Sequence, residues 1–294
     1  MTSRETAAIT LAGACMHWGP RVALAPVDLD ITAGSSVAIV GANGSGKSTL
    51  LHLIAGLITP PDGTVVTSGR IALVAQHQHH HGWMPLSVEE VLRMGRYRSW
   101  TAPLRRTDRV AIDEAAERLE VADLRRRSYG ELSGGQRQRV LIAKAVASGA
   151  NILLLDEPIT GLDLPSQATI LEVIDDHAQR GGIVLYSTHH LGEARRASRV
   201  VLLAGCVLAD GAPDEVLVPS LLAEAFGGRM VAANAIVVDE HHHHGLEGSV
   251  ADLAAHLDVH GHHHGHDHDH HHEHDDGHQV APSSPPNTAE AASS

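Results

Sequence analysis

The chain has 294 residues, 43% hydrophobic but only 2% aromatic, enough to bury a sizeable core built mainly from Ala, Val, Leu and Ile. Its formal charge of −13 is unevenly spread: eleven of the 35 acidic residues and no Lys or Arg lie in 239–294, leaving 24 acids against 22 bases before them. That balance lacks the basic surplus of a nucleic-acid binder; Cys15 and Cys206 form neither a disulfide framework nor a metal spacing; and with no run of 18 apolar residues the chain is expected not to span a membrane by itself.

In chain order, Ala7–Cys15 has only Arg4 and Glu5 charged before it and reads as a first strand rather than a lipoprotein signal. Apolar alternation around Val27–Ile31 and the buried run Val37–Val40 predict two more strands. A glycine-rich loop and a helix over about Lys47–Gly56 follow, then a turn at Asp62-Gly63 and a strand over Arg70–Val74. Ser87–Gly95 and Asp108–Leu119 have helical periodicity. Ile152–Leu155 and Ile183–Tyr186 are short continuous apolar runs, the pattern of strands covered on both faces. Val200–Ala204 and Val207–Ala209 flank Gly205-Cys206 as a hairpin. Strands alternating with helices predict an α/β fold with a mainly parallel sheet.

Composition changes near Asp239. Sixteen of the 25 histidines lie between His241 and His278, interleaved with Asp and Glu, and the chain ends APSSPPNTAEAASS. Leu246, Val250, Leu253 and Leu257 have the spacing of one short helix; the rest buries too little apolar surface to offset ordering and is read as largely disordered. Neutral imidazoles with carboxylates between them suit Zn, Ni, Cu and Co. The densest set, His262, His263, His264, His266, His268, His270, His271 and His272, is the candidate for Zn²⁺. A second cluster, His77 and His79–His81, is read as loop decoration.

Gly41-Ala42-Asn43-Gly44-Ser45-Gly46-Lys47-Ser48 fits the phosphate-binding pattern G-x-x-x-x-G-K-[ST], with a strand before it and a helix after. Its glycines let backbone N–H groups curl around phosphate oxygens, and the helix adds its positive end. Lys47 then reaches the terminal phosphates of ATP, Ser48 offers its hydroxyl to Mg²⁺, and Thr49 is a second hydroxyl. Ile152–Leu155 runs into Asp156 and Glu157 at a strand's carboxyl edge, where ligands bind in such sheets. Asp156 is placed to hold Mg²⁺ and Glu157 to act as general base on water.

Leu132-Ser133-Gly134-Gly135-Gln136 narrows the class, because it resembles the signature of ABC ATPases. The resemblance covers about residues 10–220 and implies a mainly parallel central sheet, an antiparallel β subdomain and a helical subdomain over about 85–147. With the composition break near Asp239, the expected division is an ATPase domain over 1–238 and a tail over 239–294. The resemblance also implies a homodimer in which Ser133, Gly134, Gly135 and Gln136 close on the ATP held by the opposite subunit. Gln76 matches the family's glutamine that senses Mg²⁺ and the γ-phosphate, with Gln78 the later alternative. Asp163 matches the acid of the D-loop, and His189 the switch histidine, with His190 where an acid often stands. Trp18 stands where the family stacks an aromatic on adenine, although an aromatic in an early strand is ordinarily core.

Pro85-Leu86-Ser87-Val88 through Val91, Met94, Gly95, Arg96 and Tyr97 resembles subunits of zinc and manganese importers, as does Leu221–Gly227. The resemblance implies a peripheral subunit on the cytoplasmic face of the membrane, bound through integral permease subunits and served indirectly by an extracytoplasmic metal-binding protein. Zinc is the expected cargo; iron-siderophore, cobalamin and nickel/cobalt import is the alternative. A soluble family member acting on DNA or ribosomes, and a metal-storage protein, are disfavoured by the single compact unit and by the complete ATP site respectively.

Overall fold

The computed structural model describes residues 8–76, 86–97 and 103–227. Strands β1 (Ile9–Trp18), β2 (Arg21–Ile31) and β3 (Ser36–Val40) lead into helix α1 (Lys47–Ile54), followed by β4 (Thr64–Thr67) and β5 (Ile71–Val74). Helices α2 (Val88–Met94), α3 (Arg106–Arg118) and α4 (Gly134–Ala147) come next. The order continues β6 (Ile152–Leu155), α5 (Leu164–Gln179), β7 (Ile183–Thr188), α6 (Leu191–Ala194), β8 (Arg199–Leu203), β9 (Val207–Gly211), α7 (Pro213–Val216) and α8 (Pro219–Ala225).

The strands form two sheets. One has three strands in the order β2-β1-β4, all antiparallel. The other has six, in the order β5-β6-β7-β3-β8-β9, parallel except for β9. The parallel strands separate their apolar side chains by the period of two. Ala38, Val40, Leu153, Leu155, Val184, Tyr186, Val200 and Leu202 join one buried cluster with α2–α5. Val37, Ile39, Ile152, Leu154, Ile183, Leu185, Val201 and Leu203 join a second with α1 and the antiparallel sheet. Burial on both faces makes these strands read as unbroken apolar runs. Removing one of their large side chains costs about 2–5 kcal/mol.

The expected strands and helices are present with ends shifted by a few residues: α1 stops at Ile54, β7 runs on to Thr188 and β9 to Gly211. Gly205 turns the β8–β9 hairpin at φ +79°. The long helix α5 and the short strand β4 carry no expectation from the sequence. No helix among the described residues is long and apolar enough to cross a membrane. Gln78, His77 and His79–His81, the short helix around Leu246–Leu257, the disorder expected of the tail and its eight candidate zinc ligands lie outside the described residues.

Candidate nucleotide and hydrolytic site

The parallel sheet brings the separate motifs together. Gln76 follows β5, Asp156 and Glu157 follow β6, His189 follows β7, and Gly41–Ser48 follows β3. These are four neighbouring parallel strands, so all four segments emerge at one carboxyl edge, where open α/β sheets bind ligands.

The phosphate loop is tightly braced. A Cβ at Gly41 would stand 2.3 Å from the Leu203 carbonyl oxygen, and one at Gly46 2.9 Å from that of Ala23. Gly44 and Gly46 have φ of +78° and +103°, which glycine alone adopts without strain. The β8–β9 turn supports the loop, with Gly205 N–H donating to Ser45 O at 2.9 Å. Lys47 is buried and donates to the carbonyls of Gly41 (2.8 Å) and Ala42 (3.1 Å). Ser45 Oγ is buried with no hydrogen-bond partner among the described residues. Gly46, the N-cap of α1, makes no side-chain cap hydrogen bond, so the first turn of the helix opens on the loop. An orphaned hydroxyl, an ammonium and the positive end of a helix around one loop are the donor set a polyphosphate requires. Asn43 is exposed on the loop, and Ser48 and Thr49 are half-buried in the first turn of α1.

Beside the loop, Asp156 is 4% exposed. Its Oδ1 accepts a hydrogen bond from the Ser187 hydroxyl at 2.5 Å, and its N–H donates to Val74 O at 2.8 Å. Glu157 has φ +48°, a left-handed conformation that costs a non-glycine residue roughly 1–2 kcal/mol. Gln76 Nε2 donates to Glu157 Oε2 at 2.5 Å, and His189 Nδ1 lies 3.8 Å from Glu157 Oε1. The Glu157 side chain is only 7% exposed, so its carboxylate is largely withdrawn from bulk water. Ser48, Asp156 and the amide oxygen of Gln76 are all hard oxygen donors, a set that suits Mg²⁺.

The switch segment is held by hydroxyls. Tyr186 Oη donates to Glu193 O at 3.0 Å, Thr188 Oγ1 donates to the Glu193 carboxylate, and His190 N–H donates to Thr188 Oγ1 at 3.0 Å. Burial pushes the Glu193 carboxyl above its ordinary value, opposed by the Thr188 hydrogen bond and His190 and aided by Glu157. The rings of His189 and His190 lie 4.2 Å apart. Sequence reading missed Ser187, Thr188 and Glu193; three hydroxyl side chains in succession at the end of a buried strand were the available signal.

The signature residues sit elsewhere. Ser133 caps α4: its Oγ accepts from Gln136 N–H at 3.2 Å, and Gln136 Oε1 accepts from Ser133 N–H at 3.1 Å. This reciprocal pairing uses the third N–H of the helix and leaves those of Gly134 and Gly135. A Cβ at Gly135 would lie 3.1 Å from Ser166 Oγ and 3.4 Å from Asp163 Oδ1, so the D-loop packs on the signature turn. A cavity of about 300 Å³ separates α4 from the hydrolytic edge, lined by Gly134, Arg137, Gln138, Gln76, Glu157 and Thr160 among others. No residue of the phosphate loop lines it.

Trp18 is not core. It is 57% exposed at the end of β1, paired with Arg21 where β1 turns into β2. The same hairpin end overhangs the phosphate loop, with Arg21 Nη2 3.9 Å from where a Cβ on Gly44 would stand. Among the described residues no group of three or more His, Cys, Asp or Glu could hold a metal ion.

Comparison with known proteins agrees with this geometry. A family model described as ABC transporter matches residues 24–160. The chelated iron transport system membrane protein YfeB of Yersinia pestis is 36% identical over 70% of this chain and 74% of its own length. The hemin import ATP-binding protein HmuV of Streptomyces coelicolor is 39% identical over 73% of this chain and 81% of its own. The zinc import ATP-binding protein ZnuC of Paramagnetospirillum magneticum is 34% identical over 84% of this chain and 93% of its own. Among solved structures, a metal-chelate type ABC transporter in an inward-facing conformation superposes with a TM-score of 0.68 at 29% identity, over 76% of this chain and 89% of that one. The dimeric bacterial ABC transporter cassette MJ0796 does so with a TM-score of 0.61 at 28% identity, over 70% and 98%.

Proposed function

This chain belongs to the ABC transporter family as an ATP-hydrolysing subunit, and we propose that it powers the import of a metal ion, with zinc the preferred cargo. The observation that carries the chemistry is the convergence of Gln76, Asp156, Glu157, His189 and the phosphate loop on one edge of four adjacent parallel strands. In this reading the loop amides and Lys47 hold the phosphates of ATP, and Trp18 stacks on adenine from the overhanging hairpin. Mg²⁺, when bound, supplies charge that offsets that of the phosphate oxygens, and Ser48, Asp156 and Gln76 would hold it. Glu157 takes a proton from the water that attacks the γ-phosphorus, giving ADP and phosphate. His189 contacts the γ-phosphate from the other side of Glu157. The direct Gln76–Glu157 hydrogen bond ties the base to the end of β5.

The signature turn serves the opposite subunit. Its two open glycine N–H groups have no described contact with the phosphate loop of their own chain, and a similar cassette is solved as a dimer. Two copies arranged head to tail then complete two sites, each with a loop from one chain and Ser133–Gln136, supported by Asp163, from the other. Permease subunits carry the cargo path and attach the pair to the cytoplasmic face of the membrane; an extracytoplasmic metal-binding protein delivers the ion. Residues 1–238 are the ATPase domain, and 239–294 form a separate tail whose imidazoles buffer Zn²⁺.

Zinc is favoured by the Pro85–Tyr97 pattern and by the histidines. Iron-chelate, hemin or cobalamin import is the second reading, favoured by relatives of those names at similar identity. Uptake of Zn, Mn, Ni and Fe by cells with and without this chain separates them. Zinc uptake alone should fall; loss of iron uptake with zinc unchanged would establish the second reading.

A further inference from the structure

We propose that Ser187 is a positioning residue of the hydrolytic site, one that acts by fastening Asp156 and Glu157 to each other through a single hydroxyl. The inference rests on the assignment of those two acids to ATP hydrolysis.

The alternation of the sheet sets up the contact. On β6, Ile152 and Leu154 face the α1 side, and Asp156 is the next residue in that series. On β7, Ile183 and Leu185 face the same side, and Ser187 is next. The last ladder pair of these strands is Leu155 with Tyr186. One step further, Asp156 and Ser187 stand side by side at the point where β6 has ended and β7 continues. On its other flank Ser187 pairs with Ile39 of β3, two residues before Gly41. Ser187 is therefore enclosed between the strand that carries the acids and the strand that carries the phosphate loop, and it is 0% exposed.

A polar side chain completely buried among apolar neighbours is costly unless both its hydrogen-bonding functions are used. Here they are. Ser187 Oγ–H donates to Asp156 Oδ1 at 2.5 Å, and the same oxygen accepts from Glu157 N–H at 2.8 Å. The ladder cannot supply that acceptor, because β6 has left the sheet and Glu157 turns away at φ +48°. Such a conformation persists only where its surroundings over-determine it. Two restraints act on Glu157 from opposite ends: Ser187 on its backbone and Gln76 on its carboxylate. The bond to Oδ1 sets the rotation of the Asp156 carboxylate, while each of its oxygens keeps acceptor capacity. One hydroxyl thus fixes how the Asp156 carboxylate is turned and how the backbone aims Glu157. Only a small group that both donates and accepts does this; alanine does neither and a thiol does both weakly.

The experiment compares Ser187→Ala and Ser187→Cys with the unaltered chain and with Glu157→Gln, following ATP turnover against Mg²⁺ concentration, nucleotide binding without Mg²⁺, and folding by circular dichroism. Cysteine keeps the size, so it decides the matter if alanine fails to fold. The expected result is a tenfold or greater fall in kcat and a several-fold rise in the Mg²⁺ needed for half-maximal rate, with nucleotide affinity within twofold. A purely structural serine would not move the Mg²⁺ requirement. Folded variants that turn over within twofold of the unaltered chain at the same Mg²⁺ requirement would overturn the proposal, as would a loss confined to nucleotide affinity. Full turnover in Glu157→Gln would instead remove the underlying assignment of the acids.

Discussion

In the proposed mechanism Lys47 and Glu157 meet ATP at different stages, so their replacements should fail differently. Lys47→Ala removes a buried ammonium that now leans on the loop carbonyls, and turnover should fall to background with weakened nucleotide binding. Glu157→Gln keeps the shape and the contact with Gln76 while removing the proton acceptor. Turnover should drop by about 10²–10⁴-fold, the usual worth of a general base, with ATP still bound; steady-state rates and fluorescent-nucleotide titration check both. The side chains of the proposed site were largely legible because motif spacing fixes their place: Lys47, Asp156 and Glu157 all reach one edge. What was not legible is what holds them. Ser187 and Glu193 act through contacts between segments 31 and 5 residues apart, which only the register of β6 and β7 and the turn after β7 create. Trp18 was ambiguous for the same reason, since its exposure depends on where the hairpin ends.

Elements carry their own signals and their own tests. The capping pair of Ser133 and Gln136 starts α4 at the signature, so Ser133→Ala should cost about 1 kcal/mol of stability by denaturant unfolding. Near the end of α5, burial lowers the pKa of His177 below 6.5, opposed by its hydrogen bond to Asn151 O. A folded-state value below the unfolded one means that the neutral ring's contribution is fully present above pH 6.5 and lost as pH falls through the depressed value. His177→Gln lacks this titration, so the gap in Tm between it and the unaltered chain should shift towards the variant as pH falls below 6.5. An unchanged gap from pH 8 to 5 would count against the depressed value. The parallel strands could be read from sequence because double-sided burial leaves unbroken runs such as Ile152–Leu155. β4 could not: TVVT at the sheet's edge is half-exposed and too short for a pattern. α5 begins at an exposed Leu-Pro after the D-loop and is amphipathic only along its length, so no single window announces it.

At the scale of the whole molecule, the motif residues all precede His190 and the composition break follows Asp239, so the proposed catalysis and the proposed metal buffering are separable in sequence. Truncation after Asp239 should leave basal ATPase activity within a few-fold and remove most zinc binding measured by calorimetry. That binding should weaken below about pH 6, where protons compete for imidazole. Unchanged zinc stoichiometry would end the buffer reading. The dimer is the larger claim, because the open amides of Gly134 and Gly135 have no phosphate to meet unless a second chain brings one. A chain with Gly135→Asp and a chain with Lys47→Ala should each be inactive alone. Mixed, they pair the sound loop of the first with the sound signature of the second, and ATP hydrolysis should reappear. A mixture no more active than its two components, with mixed dimers shown to form by crosslinking, would contradict a site shared between subunits.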